Sequence, residues 1–310
     1  MNLIFCGTPQ FAVPTLQMLL QERFNIELVV CQPDEPSGRG YEVKAPPVKQ
    51  LAAKAGIKVF QPAKLKDPAT QEFLSKYSPD AIVVVAYGRI IPPWMIELPR
   101  IGCINLHGSL LPKYRGAGPI QWAIINGERV TGVTTMKIDP GMDTGDILLM
   151  REDPIREDDT TETLSERLSV KGADLMIETL RGLERGEITP RPQDHSQASL
   201  APMLKKEHGR IDWTVTAQQI SWRVRGLRPW PGAYSSFRGK NVHLWAAAPV
   251  AGAGEAFDPG TLFTEARMLI VACGQGTRLE IKELQLEGRN RLSARDFLNG
   301  VHLQPGEKLT

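Results

Sequence analysis

Cysteine is scarce and scattered in this 310-residue chain: Cys6, Cys31, Cys103 and Cys273 are the four, and no C-x-x-C pair occurs. That spacing disfavours a zinc ribbon and thioredoxin-type exchange. Free thiols in apolar runs suit a reducing compartment, so the expected location is cytoplasmic. Aromatic residues make up only 6%. No apolar run approaches 18 residues, which excludes a membrane-spanning helix. MNLIFCGTPQF lacks a basic n-region, and its apolar run is too short for a signal peptide. The net charge is only +2, so no molecule-wide field argues for nucleic acid. Glycine signatures are missing too. Neither G-x-G-x-x-G nor G-x-x-x-x-G-K-[ST] is present, and FCGTPQF offers only Gly7. Dinucleotide and P-loop binding are therefore disfavoured. No G-x-S-x-G elbow is found. No H-x-x-x-H or histidine pair lies near the candidate acids, so no metal is expected. There are no internal repeats and no low-complexity tract.

What is present reads as an ordinary globular protein, with 42% hydrophobic and 23% charged residues. The length suits two domains. The first half alternates strand and helix patterns. NLIFCG (2–7), IELVVCQ (26–32), IKVFQ (57–61), DAIVVVAYG (80–88) and GCINLHG (102–108) are strand-like, with helical patterns at 9–22, 47–56 and 67–77. This alternation predicts a mainly parallel α/β sheet covered by helices. Further strands are expected at 133–138 and 146–155, then a long helix over 160–186 that Asp158, Asp159 and Thr160 can cap. Residues 187–208 are rich in Pro, Gln and Ser without periodicity and read as a linker. From 209 to 310, short alternating segments separated by Gly and Pro predict a small β-barrel. The division expected is thus 1–186, a linker at 187–208, and 209–310.

The candidate chemistry gathers in INLHGSLLPKYRGAG, residues 104–118. On a strand, residues two apart share a face, so Asn105 and His107 point together at a strand's C-terminal end, where ligands of open α/β sheets bind. In IDPGMDTGDIL (138–148), Asp143 sits in a Gly-flanked turn. A carboxylate placed beside an imidazole orients it and favours its charged form, and an Asn amide can donate to an oxyanion. The three suit acyl transfer. Two other readings stand beside this one. Asn105 and His107 can be structural caps, and Ser109, His107 and Asp143 can be drawn as a hydrolase triad. Against the triad, Ser109 and His107 are i, i+2, which favours parallel side chains over a bond between tips. Leu110 and Leu111, followed by Pro112, are either core contacts or the floor of a pocket for a flat, apolar ligand. PDEPSGRGYEVKAPPVK (33–49) is a long Pro/Gly loop carrying Arg39, either functional or a surface excursion. Its three basic and three acidic residues cancel. Between Lys205 and Lys240, eight basic residues face two acidic ones. This is a solvated face or a polyanion-binding surface. Four of the six Trp lie between 213 and 245.

FCGTPQFAVPTLQ, VVVAYGRIIP, INLHGSLLPKYRGAGPIQWAI, IDPGMDTGDIL, APMLKKEHGRIDW and GLRPWPGAY occur in this order over most of the chain. Together they resemble the methionyl-tRNA formyltransferases, within the wider family that uses 10-formyltetrahydrofolate. The resemblance implies a Rossmann-like formyl-transfer domain and an OB-like C-terminal barrel. It implies 10-formyltetrahydrofolate as formyl donor and initiator methionyl-tRNA as acceptor. Asn105, His107 and Asp143 match the family's catalytic trio. Ser109, Leu110, Leu111 and Pro112 match its folate segment. Tyr87, Gly88, Arg89, Ile90 and Ile91 are similar to the pterin-side loop. The loop around Arg39 matches an insertion reaching the tRNA end, although Tyr41, Glu42 and Val43 replace the lysines relatives often carry after GRG. With the basic C-terminal stretch, this gives Arg39, Lys205, Lys206, Arg223 and Arg225 as expected tRNA contacts. The expected state is a monomer. The alternatives are a sugar-nucleotide formyltransferase sharing the active-site block, and a non-catalytic nucleic-acid-binding module.

Overall fold

The computed structural model describes residues 1–37, 42–251 and 257–310. In chain order it forms β1 (Asn2–Gly7), α1 (Val13–Gln21), β2 (Asn25–Val30), β3 (Glu35–Ser37), β4 (Glu42–Lys44), α2 (Pro47–Lys54), β5 (Val59–Phe60), α3 (Pro68–Leu74), β6 (Ala81–Val85), α4 (Pro93–Ile96), β7 (Gly102–His107), α5 (Pro119–Ile125), β8 (Val130–Lys137), β9 (Ile147–Pro154) and α6 (Thr161–Glu184). Then follow α7 (Ala217–Gly226), β10 (Ala233–Phe237), β11 (Lys240–Val250), β12 (Leu262–Glu265), β13 (Met268–Ala272), β14 (Arg278–Leu286), β15 (Leu292–Ser293) and α8 (Ala294–Gly300). Two compact units result. One comprises Met1–Pro119, Val130–Pro154 and Ser165–Pro202; the other Ile120–Arg129, Ile155–Leu164 and Met203–Thr310.

The first unit is built on a seven-stranded sheet in the order β5-β2-β1-β6-β7-β8-β9. The strands from β5 to β7 pair in parallel. Leu3, Ile4, Phe5 and Cys6 are fully buried, as are Ala81, Ile82, Val83 and Val85. Continuous apolar runs of this kind belong to central strands covered on both faces. Beyond β7 the direction changes: β8 and β9 are antiparallel. α6 begins where Thr160 Oγ1 accepts from the Thr163 amide at 3.4 Å. It ends at Glu184, two residues before Gly186, whose φ of +69° lets the Glu187 amide return to the Gly182 carbonyl at 2.8 Å.

The second unit is a six-stranded antiparallel sheet in the order β10-β11-β14-β13-β12, with β15 beside β14. The sheet path is open, since among the described residues no pairing joins β10 to β12. Its core joins Trp213, Ile220 and Val224 to Leu244, Leu269 and Ile281. Trp213 Nε1 donates to Ser235 Oγ at 3.0 Å, which satisfies the buried indole.

Candidate active site

Asn105 and His107 occupy the last three residues of β7, between β6 and β8: Val84 pairs with Asn105 on one side, Met136 with Asn105 and Thr134 with His107 on the other. Asn105 is half-buried, and its side-chain amide makes no hydrogen bond to any described residue. His107 is 6% exposed. Its Nε2 lies 2.9 Å from the Tyr114 carbonyl. A carbonyl only accepts, so Nε2 carries the hydrogen. Nδ1 is left facing Asp143 Oδ2 at 3.7 Å, an ion-pair separation longer than a hydrogen bond.

Asp143 reaches this position by an indirect route. Antiparallel pairing sets Ile104 against Lys137 and His107 against Thr134. The β8–β9 turn therefore leaves the sheet beside the start of β7. To meet His107, its residues return roughly 10 Å along the strand. Asp143 adopts a φ of +52° in doing so. Its Oδ2 accepts from the Gly116 amide at 2.8 Å. Gly116 has a φ of +117°, and a Cβ there would stand 2.7 Å from the Ala201 carbonyl oxygen. Only glycine fits. The 113–118 segment thus supplies a carbonyl to His107 and an amide to Asp143.

The stretch read as a linker lies against this segment. Arg115 N donates to Ser199 O at 2.8 Å, Ala201 N to Arg115 O at 2.7 Å, and Gly118 N to Ala201 O at 3.0 Å. Arg115 is 7% exposed and Gln193 5%. Arg115 Nε and Nη2 donate to Gln193 Oε1 at 3.1 and 2.6 Å, and Nη2 to His195 Nδ1 at 3.1 Å. Gln193 Nε2 donates to the carbonyls of Asp143 and Gly145 at 2.9 and 2.7 Å. Sequence reading missed Gln193, Arg115 and the Tyr114 carbonyl. Backbone carbonyls leave no sequence trace, and 191–201 has no period to place it.

The remaining expected residues are distributed as follows. Ser109 is fully buried and donates to the Lys113 carbonyl at 2.7 Å. Its hydroxyl is thus spent in a local turn, away from the imidazole. Leu110 is half-buried and lies against Gly132. Leu111 is buried with Met136 and Ile147, and Pro112 is half-buried. Tyr87 and Ile91 are buried, whereas Ile90 is 80% exposed. Burial pushes the Tyr87 phenol well up. Gly88 has a φ of +81° and rests on Gln32. Arg89 is tied to the carbonyls of Pro62 and Ala63. Arg39 lies outside the described residues; in its loop, Lys49 and Asp34 pair at 2.6 Å.

In the second unit, Lys205 and Lys206 are exposed. Arg223 and Arg225 are half-buried and committed to carbonyls, at 2.7 Å from His208 O and 2.6 Å from Asp159 O. Arg228 and Arg238 pair with Glu162 and Glu307. Lys205, Lys206, Arg210 and Lys240 are exposed and make no ion pair to the described residues, a basic face narrower than the sequence count.

Among the described residues, no three His, Cys, Asp or Glu side chains are grouped to hold a metal. No described helix is long and apolar enough to cross a membrane. Residues 1–180 match the model of the formyl transferase family, and residues 203–302 match that of the formyl transferase C-terminal domain. A methionyl-tRNA formyltransferase of Koribacter versatilis is 53% identical over 100% of this chain and 98% of its own. One of Acidobacterium capsulatum is 54% identical over 100% and 99%. Among solved structures, WlaRD, described as a sugar 3N-formyl transferase in the presence of dTDP and 5-N-formyl-THF, matches with a TM-score of 0.68. The match covers 94% of this chain and 99% of that one at 18% identity, a likeness of fold alone. By its matched models and by half of its residues over the full length, the chain belongs to the formyl transferase family, among the methionyl-tRNA formyltransferases.

Proposed function

We propose that this chain transfers the formyl group of 10-formyltetrahydrofolate to the α-amino group of initiator methionyl-tRNA, producing N-formylmethionyl-tRNA for translation initiation. The observation that carries the chemistry is a free Asn105 amide beside a buried His107 that faces a half-buried Asp143 at 3.7 Å, at the end of β7. The acceptor is supported by relatives 53% and 54% identical along the whole chain, against 18% for the sugar enzyme.

An α-amine of pKa about 7.7–8.0 is partly neutral near pH 7. Its lone pair attacks the formyl carbon and the carbonyl electrons move to oxygen. The Asn105 amide and the His107 ring stabilise that oxyanion in a site whose donors are already in place. With Nε2–H on the Tyr114 carbonyl, Nδ1–H is the ring donor left, shared between the oxyanion and the Asp143 carboxylate 3.7 Å away. Asp143 orients the ring and receives the amine's proton through water. Collapse of the tetrahedral centre breaks the bond to N10, which takes back through the same water the proton that Asp143 received.

The strand-end position fits a flat ligand with a polar edge. Asn105 offers a free amide, and Ile90 and Met142 expose apolar side chains at 80% and 68%. Ser109, Leu110, Leu111 and Pro112, with Tyr87 to Ile91, are the segments assigned to the folate. Of these, Ser109 and Leu111 would act by shaping the loop from within. In the second unit, Lys205 and Lys206 are assigned to tRNA phosphates together with Arg210 and Lys240. Arg223 and Arg225 would act by bracing the surface, and Arg39 remains assigned to the acceptor end. The matched models at 1–180 and 203–302 support a formyl-transfer domain over 1–186 and a tRNA-binding domain over 209–310. One chain supplies the whole trio, so a monomer suffices. Four buried free thiols, with Cys103 and Cys273 pushed up to about 12 by burial, suit the cytoplasm.

The experiment is Asn105→Ala, assayed for formyl transfer. kcat should fall about 100–1000-fold, as for loss of an oxyanion donor. A kcat within threefold of wild type would remove Asn105 from the reaction.

A further inference from the structure

The acid of the trio stands on neither a strand nor a helix. Asp143 sits in a turn with a φ of +52°, a left-handed conformation that Asp tolerates better than most residues with a side chain but that still costs free energy. The turn begins beside the start of β7, and its acid acts at the other end of that strand. Something must hold it there.

Gln193 is placed to do so. It is buried, and every hydrogen-bonding position of its amide is used. The nitrogen donates to the Asp143 carbonyl at 2.9 Å and to the Gly145 carbonyl at 2.7 Å, gripping the turn on both sides of Thr144. The oxygen accepts from Arg115 Nε and Nη2 at 3.1 and 2.6 Å. Arg115 immediately precedes Gly116, whose amide holds the Asp143 carboxylate at 2.8 Å. The same Nη2 also donates to His195 Nδ1 at 3.1 Å. One amide thus locks the backbone of Asp143 to the segment that fixes its carboxylate. The orientation is forced: turned over, the amide would set its N–H groups against a guanidinium and its oxygen against two carbonyls. Glu fits the volume and would satisfy Arg115, but it presents an oxygen where two donors are needed. Leu satisfies neither side.

We propose that Gln193 is a positioning residue for formyl transfer, clamping the 143–145 turn to Arg115 so that the Asp143 carboxylate stays against His107 Nδ1. The inference rests on the functional reading given above. Its reach is through Asp143, not through substrate.

The test compares wild type, Asp143→Ala, Gln193→Leu, Gln193→Glu and the Asp143→Ala/Gln193→Leu double variant. Each is assayed with 10-formyltetrahydrofolate and methionylated initiator tRNA over a range of pH, with a thermal melt to establish folding. Displacing a catalytic group by about 1 Å costs about 100-fold, so both Gln193 variants should lower kcat by about that factor, with KM for the two substrates nearly unchanged. They should also alter the pH profile of kcat, because the His107–Asp143 pair is what moves. In the Asp143→Ala background, Gln193→Leu should add almost nothing, since groups acting as one unit are not additive. Wild-type kcat and pH profile in both Gln193 variants would overturn the proposal while leaving the trio intact. So would an equal loss in the Asp143→Ala background, which marks a role unrelated to Asp143. If Gln193→Leu does not fold, Gln193→Glu decides by the same criteria. If Asp143→Ala itself keeps full activity, the functional reading fails, and the clamp has nothing to position.

Discussion

At the scale of residues, the division of labour follows from which polar groups already have partners. Asn105 is half-buried with an unbonded amide, whereas Ser109, two residues past the end of β7, is fully buried and bonded to the Lys113 carbonyl at 2.7 Å. A free donor at a strand end can serve a substrate; a hydroxyl already donating inside its own turn serves the loop. Ser109→Ala should therefore keep kcat close to wild type and lower stability by about 1 kcal/mol, the net worth of one hydrogen bond. Steady-state kinetics and a thermal melt check this, and loss of turnover with stability intact would restore Ser109 as an attacking group. Strand periodicity alone places Asn105 and His107 together. It cannot give the tautomer of His107, because that is fixed by the Tyr114 backbone carbonyl, which any residue at 114 could supply.

At the scale of elements, the site depends on the change from parallel to antiparallel pairing after β7. β8 and β9 form a hairpin whose turn must double back to bring Asp143 to His107. The hairpin is fixed to α6 by Asp153, which is 4% exposed and contacts Arg167 Nε at 2.6 Å and Lys171 Nζ at 2.5 Å. Burial by itself would raise the Asp153 carboxyl, but the hydrogen bonds from Lys171 and Arg167 hold it below the ordinary carboxylate range. A folded-state pKa depressed in this way adds stability above the unfolded value of about 3.9, and that stability is lost as pH falls through the folded value. Asp153→Asn should thus destabilise the protein by about 3 kcal/mol at pH 7, the low end for a broken buried pair. The gap between variant and wild type should close below about pH 4. Denaturant melts at pH 7 and pH 3 measure it, and a gap equal at both would contradict the assignment.

Most of these elements are legible from the chain itself. β1 occupies 2–7 as its apolar run predicts, and α6 spans Thr161–Glu184 within the 160–186 expected, between Thr160 and Gly186. The 191–201 stretch is different. It is held by isolated bonds to 115–118, 143–145 and 147, which require no repeating pattern of residues. Pro, Gln and Ser there look like a connector, while Gln193 is buried at the centre of the site.

At the scale of the whole molecule, the proposed function assigns chemistry to the first unit and tRNA recognition to the second. The first holds Asn105, His107 and Asp143. The second carries Lys205, Lys206, Arg210 and Lys240 on its surface, with Trp230 58% exposed in the same stretch. A net charge of +2 hides this local excess, and the sequence count overstates it, because four of the eight basic residues are spent on carbonyls and carboxylates. The most direct test of the account offers the protein 10-formyltetrahydrofolate with three acceptors in parallel: methionylated initiator tRNA, an amino-sugar nucleotide, and free methionine. The account predicts N-formylmethionyl-tRNA as the product, with the other two acceptors left essentially unmodified. Formylation of the sugar nucleotide with the charged tRNA untouched would contradict it.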